Sequence, residues 1–295
     1  MKRNAASGLF TRSSFIVFRV SGKAVGMPPL GDRTTVNMKT EIMHRLRQIY
    51  HLDDELDDLA ALLAFQPTSS DAVFDFFTKL PDAQIYGSSP YRFLYRPGAR
   101  VNRVLLVAHA DTVWDGYRGS RNIQLDDDHV FRSGSTRLGL GADNRAGCAM
   151  VWTLRNSGHS LLITDGEEKC SRGCVHLMDA YPEIADEING HQFMISFDHI
   201  NGNEYKCYDV GSEAFRRYVE AQTGYRDAGC SSYTDICTLS RDICGVNLSV
   251  GCRYDHLPCD ELHVREWANT LHVVRNWLSF PVLPAFPRPE ISESA

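Results

Sequence analysis

Apolar residues recur along the chain with the periods of regular secondary structure. In residues 39–65, 70–80 and 261–278 they fall three or four positions apart, which predicts helices. The first of these patterns is interrupted near residues 52–54, so we expect two helices there. Runs of strand length at 92–96, 101–108, 161–164, 193–197 and 247–251 are largely apolar, as buried strands are. An alternating stretch at 122–133 predicts a hairpin.

Strands and helices alternate along the chain, which is the pattern of an α/β protein with a mostly parallel sheet. Further helical stretches at 144–156, 213–222 and 236–241 separate the predicted strands. The predicted fold is a three-layer α/β domain, in which a mostly parallel, twisted sheet has helices on both faces. We expect a single domain over residues 38–286, an N-terminal tail or annex at 1–37 and a C-terminal tail at 287–295.

Four apolar runs end at, or shortly before, polar residues that can bind a metal ion. In chain order these residues are His109, Glu167, Glu168, Asp198 and His256. In open α/β sheets, ligands bind outside the carboxyl ends of the strands, so we expect these side chains to converge. Asp143 is the carboxylate of the glycine-rich stretch 139–147, and we interpret it as the bridge between two metal ions. Carboxylates and imidazoles in this number suit two zinc ions.

Some of these candidates have a competitor nearby in the sequence. His263 follows His256 by seven residues, but it falls inside the predicted closing helix, so we favour His256. Asp198 is likewise favoured over the adjacent His199. The acidic triplet at 126–128 is interpreted as a solvated loop, because three consecutive carboxylates cannot converge from an extended turn.

Composition narrows the classes of function. The chain has 295 residues, 43% apolar and 23% charged, which is ordinary for a globular protein. A net charge of -6 and a pI near 6.0 lack the basic surface of a nucleic-acid-binding protein. No stretch approaches the length of a membrane span, and the first apolar run ends at Arg19 without a convincing signal-peptide cleavage site. A cytoplasmic protein is expected.

The nine cysteines all lie from Cys148 onward. An odd number without a regular pattern does not indicate a disulfide framework, so we expect reduced thiols. The spacing of residues 170 and 174, and that of 230, 237 and 244, leaves a second, structural metal site open. Neither has the paired close spacings of a zinc ribbon, and buried core thiols are the favoured interpretation.

Together the motifs resemble those of the co-catalytic di-zinc exopeptidase superfamily, which contains aminopeptidases and carboxypeptidases. The match covers about residues 104–264. It consists of His109-Ala-Asp111-Thr-Val, Gly141-Ala-Asp143-Asn-Arg-Ala-Gly, Glu167-Glu168 followed by Gly173, Phe197-Asp198, and Val250-Gly251 before His256. The resemblance implies that His109 and Asp198 bind one zinc ion, that Glu168 and His256 bind the other, and that Asp143 bridges both.

The resemblance also implies roles for two residues that do not bind metal. Asp111 is expected to accept the ring N–H of His109 and so to fix its tautomer. Glu167 is expected to be the general base that takes a proton from the attacking water. Cobalt or manganese in place of zinc remains open, because affinity alone is a poor guide to the metal bound in a cell.

The chain departs from carboxypeptidase-like members in one respect. Those members carry a lid domain between the ligands that correspond to Asp198 and His256, and only 57 residues lie between them here. This favours an aminopeptidase-type exopeptidase and a monomer over a lid-mediated dimer. Candidate substrate contacts are Asp235, Arg253 and Tyr254.

Two other functions remain open. An N-acyl amino acid amidohydrolase or deacylase would use the same metal ions with a different pocket. A non-catalytic binding protein would retain only the fold. The second is less favoured, because burying so many convergent polar groups without metal is costly.

Overall fold

The computed structural model describes residues 40–119 and 121–289, together with three short strands before residue 38. Apart from those strands, the predicted N-terminal tail lies outside the described residues, as do residues 290–295. The helices of the described chain are α1 Thr40–Tyr50, α2 Asp54–Ala64, α3 Asp71–Phe77, α4 Ala142–Thr153, α5 Arg172–Ala180, α6 Pro182–Asn189, α7 Glu213–Thr223, α8 Asp235–Leu239 and α9 Val264–Leu278.

The strands form a large sheet, a smaller sheet and a short separate pair. In chain order they are β1 Arg19–Val20, β2 Lys23–Ala24, β3 Thr35–Asn37, β4 Gln84–Tyr86, β5 Phe93–Arg96, β6 Leu105–His109, β7 Asn122–Leu125, β8 Val130–Ser133, β9 Ser160–Thr164, β10 Met194–His199, β11 Glu204–Lys206, β12 Arg226–Asp227, β13 Gly245–Ser249, β14 Cys252–Arg253 and β15 Glu261–His263.

The large sheet has the strand order β12-β11-β13-β10-β6-β9-β5-β4. Its four middle strands, from β13 to β9, are mutually parallel. Strands β5 and β4 extend it in antiparallel fashion on one side, and β11 pairs antiparallel with β13 on the other. The smaller sheet has the order β14-β15-β8-β7-β3.

The alternation of side chains along the parallel strands places helices on both faces. Leu106 and Ala108 of β6 belong to a buried cluster with residues of α2, α4 and α9. Their neighbours Leu105 and Val107 belong to a second cluster with residues of α5, α6 and α8. Successive side chains of a strand point to opposite faces, so the sheet is sandwiched between two helical layers. The predicted three-layer α/β fold is confirmed.

Most predicted elements are present within a few residues of their expected bounds, but the closing helix begins later than predicted. Residues 261–263 form β15, which pairs antiparallel with β8 and places Leu262 opposite Phe131. The prediction that His263 lies in the helix is therefore wrong, because Leu262 meets a strand partner that its own neighbourhood does not reveal. Helices α5 and α6 were not predicted, and neither were strands β1 to β4, β11, β12, β14 and β15.

All nine cysteines are free thiols, as predicted. Among the described residues, none of the side-chain groups with metal-binding geometry contains a cysteine. In the same part of the chain, no helix has the length and apolar character needed to cross a membrane.

Candidate metal centre

Two histidines and three carboxylates meet at the carboxyl end of the parallel strands. His109 Nε2 lies 3.0 Å from Asp143 Oδ1 and 3.0 Å from Asp198 Oδ1. His256 Nε2 lies 3.1 Å from Asp143 Oδ2 and 3.2 Å from Glu168 Oε2. Asp143 therefore presents one oxygen to each imidazole, and each imidazole has a further carboxylate of its own. The structure brings all five predicted ligands together.

Two overlapping groups of potential metal ligands at this site have ligand atoms within 4.8 Å of one another. One contains His109, Asp143 and Asp198, and the other contains Asp143, Asp255 and His256. Asp143 is common to both groups. Asp255 was not among the predicted ligands, although it directly precedes one of them.

The glycines on either side of Asp143 occupy positions where a larger residue would be strained or would clash. Gly141 has φ +67°, and Asp143 and Asn144, joined by a cis peptide bond, depart from helical angles at the start of α4. A Cβ atom on Gly147 would lie 2.0 Å from the backbone oxygen of Phe197. The glycines of this motif therefore allow α4 to pack closely against β10, the strand that carries Asp198.

The turn that carries Glu167 and Glu168 is held by Asp111. It follows β9 as a short 3₁₀ helix, Glu167–Lys169. The two carboxylate oxygens of Asp111 accept hydrogen bonds from the backbone N–H groups of Glu167 at 3.1 Å and Glu168 at 3.2 Å. His109 Nδ1 is 3.1 Å from the Asp111 backbone oxygen and 3.4 Å from its carboxylate. Asp111 thus lies against His109 Nδ1, and its carboxylate fixes the position of the glutamate pair.

Thr234 holds Asp198 from the other side of the site. Its hydroxyl donates to Asp198 Oδ2 at 2.7 Å, while the side chain of Asn247 accepts the Asp198 backbone N–H at 2.9 Å. Thr234 is 1% exposed. The sequence offered little to single out Thr234, apart from its place in the Ser-Ser-Tyr-Thr-Asp segment at 231–235.

The three predicted substrate contacts differ in accessibility. Asp235 is buried and accepts a hydrogen bond from the Thr164 hydroxyl. Arg253 donates to Glu266 at 2.6 Å. Tyr254 is 58% exposed and lies two residues before His256. Of the three, Tyr254 offers the most surface to a ligand.

The competing histidines lie elsewhere. His199 Nε2 is 3.6 Å from Glu204, and His263 Nε2 is 2.8 Å from Glu261. Neither belongs to the groups of potential ligands among the described residues.

The pKa shifts are those of a site crowded with carboxylates. Burial raises the pKa of Asp198 to about 7. Burial also raises that of Glu167 to about 10, and the carboxylates of Asp198 and Asp143 add to the rise. Hydrogen bonds to Asp143 and Glu168 raise the pKa of His256 to about 11. A nearby positive charge stabilises the ionised form of such crowded, desolvated carboxylates.

The chemistry of the donors fits divalent metal ions. Glu168 Oε1 is buried and has no hydrogen-bond partner, and Asp143 Oδ1, also buried, has only the imidazole of His109 beside it at 3.0 Å. A buried oxygen without a partner is costly, and coordination to a cation satisfies it. Imidazole nitrogen and carboxylate oxygen are ligands that zinc accepts, so the residues present fit a pair of zinc ions.

A second group of carboxylates is balanced by basic side chains instead. Oxygens of Asp111, Asp115 and Asp165 lie within 4.8 Å of one another. Lys169 is 3.1 Å from Asp115, and Arg92 is 2.8 Å from Asp165. These cations neutralise the group, so we assign it a structural role.

No protein-family model matches the sequence, and no curated protein matches it. Solved structures do match. A tripeptidase from Staphylococcus aureus has a TM-score of 0.58 at 12% identity, over 77% of this chain and 98% of the other. The aminopeptidase PepT from Bacillus cereus has a TM-score of 0.53 at 13% identity, over 75% of this chain and 96% of the other.

A Pyrococcus horikoshii peptidase that can assemble into a tetrahedron or a large octahedral shell also matches. Its TM-score is 0.55 at 12% identity, over 76% of this chain and 99% of the other. At such identities the likeness shows the fold. The chain has the fold of these peptidases, which is the fold implied by its resemblance to the di-zinc exopeptidase superfamily.

Proposed function

We propose that this protein is a di-zinc metallohydrolase of the aminopeptidase type, which removes N-terminal residues from peptides. The observation that carries the proposal is the position of Asp143 between His109 and His256. With Asp198 beside one imidazole and Glu168 beside the other, each metal position has two ligands of its own and one in common. The tripeptidase and aminopeptidase with the same fold support a peptide as substrate.

Divalent ions held by these residues would supply Lewis acidity towards the scissile carbonyl and would lower the pKa of water towards about 7. Glu167 takes the proton of the attacking water on its carboxylate and returns it to the departing amine. For this step Glu167 must be ionised; burial raises its pKa to about 10, and a divalent charge bound beside it would oppose that rise. Asp111 keeps Glu167 in place by accepting its backbone N–H.

The chain between Asp198 and His256 supports an aminopeptidase over a lid-bearing carboxypeptidase. The structure describes all of residues 199–255, and they form β11, α7, β12, α8, β13 and β14. Of these, β11, β12 and β13 are strands of the large sheet and β14 is a strand of the smaller sheet, and no lid domain is inserted there. The side chain of His256 is 51% exposed, so this metal position is accessible from solvent. We propose a monomer for the same reason.

The test compares three substrates and two variants. Purified protein is assayed for release of a chromogenic amine from an aminoacyl anilide, for hydrolysis of a tripeptide, and for hydrolysis of an N-acetyl amino acid, with and without a chelator. We expect chelator-sensitive cleavage of the first two. Glu167→Gln should keep its zinc and lose about 100-fold or more in activity. Glu183→Gln, on the exposed side of α6, is the matched control and should retain activity.

Two results would change the proposal. Hydrolysis of the N-acetyl substrate alone would favour the amidohydrolase alternative. Full activity of Glu167→Gln would exclude that residue as the general base, whichever substrate is cleaved.

A further inference from the structure

A buried carboxylate accepts backbone hydrogen bonds from the loop that leads into Asp143. The side chain of Asp260 accepts the backbone N–H groups of three consecutive residues, Leu140, Gly141 at 2.8 Å and Ala142 at 3.4 Å. Asp260 is 2% exposed, so water does not compete for these hydrogen bonds. The three N–H groups belong to the residues immediately before the proposed bridging ligand.

A buried guanidinium donates hydrogen bonds to backbone carbonyl groups of the same loop. Arg121 is 3% exposed and donates to the backbone oxygens of Leu140 and, at 3.4 Å, Gly139. It also donates to the backbone oxygens of Leu63 and, at 2.6 Å, Phe65, at the end of α2. The loop is therefore held by an anion on its N–H groups and by a cation on its C=O groups.

The loop sequence is adapted to this contact. A Cβ atom on Gly139 would lie 2.8 Å from Asp260 Oδ1 and 2.9 Å from the ring of Trp114. Gly141 has φ +67°, a left-handed conformation that glycine adopts without steric cost. Two of the motif glycines thus allow the backbone to approach the carboxylate.

The segment that supplies Asp260 also supplies His256. Backbone hydrogen bonds from Leu257 to Tyr254 at 3.2 Å and from Asp260 to Leu257 at 3.0 Å make residues 254–260 two successive turns. One end of this short segment carries a proposed ligand, and the other end binds the loop that carries Asp143. Asp260 thus connects the segment that carries His256 to the loop that carries Asp143, and His256 Nε2 lies 3.1 Å from Asp143 Oδ2.

We propose that Asp260 is a positioning residue, which sets the place of Asp143 relative to His256. It thereby sets the affinity for the metal ion that Glu168 and His256 bind. This inference rests on the proposed function for the identity of the ligands. Partners that orient metal ligands typically contribute about 10- to 100-fold in metal affinity or activity. Asp260→Asn retains the shape of the side chain but replaces one acceptor oxygen by an amide that cannot accept an N–H.

The experiment is a zinc titration of the full chain after removal of metal, in competition with a chromophoric chelator. We expect Asp260→Asn to bind the zinc ion of Glu168 and His256 roughly 10- to 100-fold more weakly, and the zinc ion of His109 and Asp198, which shares only Asp143 with it, to be affected much less. At saturating zinc, kcat should fall by a similar factor while KM changes less, because the substrate contacts remain.

Asp58→Asn is the matched control. Asp58 is also a buried carboxylate next to an arginine, 3.4 Å from Arg155, but it joins α2 to the end of α4 and does not contact the metal site. The Asp58→Asn variant should change the melting temperature by about as much as Asp260→Asn does, while its affinities for both zinc ions stay unchanged. If Asp260→Asn does not fold, Asp260→Glu keeps the charge and displaces the carboxylate, and it should show the same selective loss.

Wild-type affinity for both zinc ions in the Asp260 variant would overturn the inference, as would an equal loss of zinc in Asp58→Asn. If the wild type binds two zinc ions but cleaves no peptide, the proposed function fails while the titration still decides the role of Asp260. A wild type that binds no zinc would overturn both.

Discussion

Replacing Thr234 by valine removes one hydroxyl beside Asp198 and leaves the shape of the side chain nearly unchanged. That hydroxyl donates to Asp198 Oδ2 at 2.7 Å, at a position that is 1% exposed. Valine therefore takes away a donor where water does not readily replace it. A hydrogen bond to a charged group contributes about 1.5–3 kcal/mol, and about 1.4 kcal/mol is a tenfold change in an equilibrium constant. We expect Thr234→Val to bind the zinc ion of His109 and Asp198 roughly 10- to 100-fold more weakly.

The assay is the same zinc titration against a chromophoric chelator, at a fixed pH. Thr234→Ser is the matched control because it retains the hydroxyl and loses only a methyl group, so its zinc affinity should stay close to that of the wild type. The melting temperature of each metal-free variant separates an effect on folding from an effect on the site. Equal zinc affinity in the valine and serine variants would show that the Thr234 hydroxyl contributes nothing to metal binding by Asp198.

Three further perturbations test other parts of the structure. Glu168→Ala should lose zinc from one position only, and metal analysis should then find about one ion per chain; retention of both would exclude Glu168 as a ligand. Leu106→Ala, in the buried middle of β6, should lower the free energy of unfolding in urea by about 2–5 kcal/mol, whereas Ile85→Ala at a 40% exposed position should cost much less. Burial lowers the pKa of His159 to about 4, below its value near 6.5 in the unfolded chain. The unfolded state therefore binds more protons between these values, so stability is lost as the pH falls from about 6.5 to 4. His159→Asn should lessen that loss in urea unfolding measured across this pH range; an unchanged pH dependence would contradict the assignment.

The sequence predicted the layers of the fold and the convergence of the ligands, because both depend on local pattern. Apolar runs of strand length indicated the parallel strands, and four of these runs end at, or shortly before, candidate ligands, which indicated where those side chains would meet. His109 and Asp198, 89 residues apart in the chain, lie 3.0 Å apart in the structure.

What the sequence could not reveal depends on pairing between distant segments. Asp260 binds N–H groups about 120 residues earlier in the chain, and nothing in its local pattern distinguishes it from a surface aspartate. Thr234 acts on Asp198 across 36 residues in the same way. Residues 261–263 read as helix, since Leu262 continues the helical period, but pairing with β8 makes them a strand.

A di-zinc centre is tested by the metal content of the purified protein, determined per chain by elemental analysis before and after dialysis against a chelator. We expect two zinc ions per chain, both removed by the chelator, with peptide cleavage lost on removal and restored when zinc is returned. A folded protein that binds no divalent metal, or that cleaves peptides equally well without it, would not be a di-zinc hydrolase.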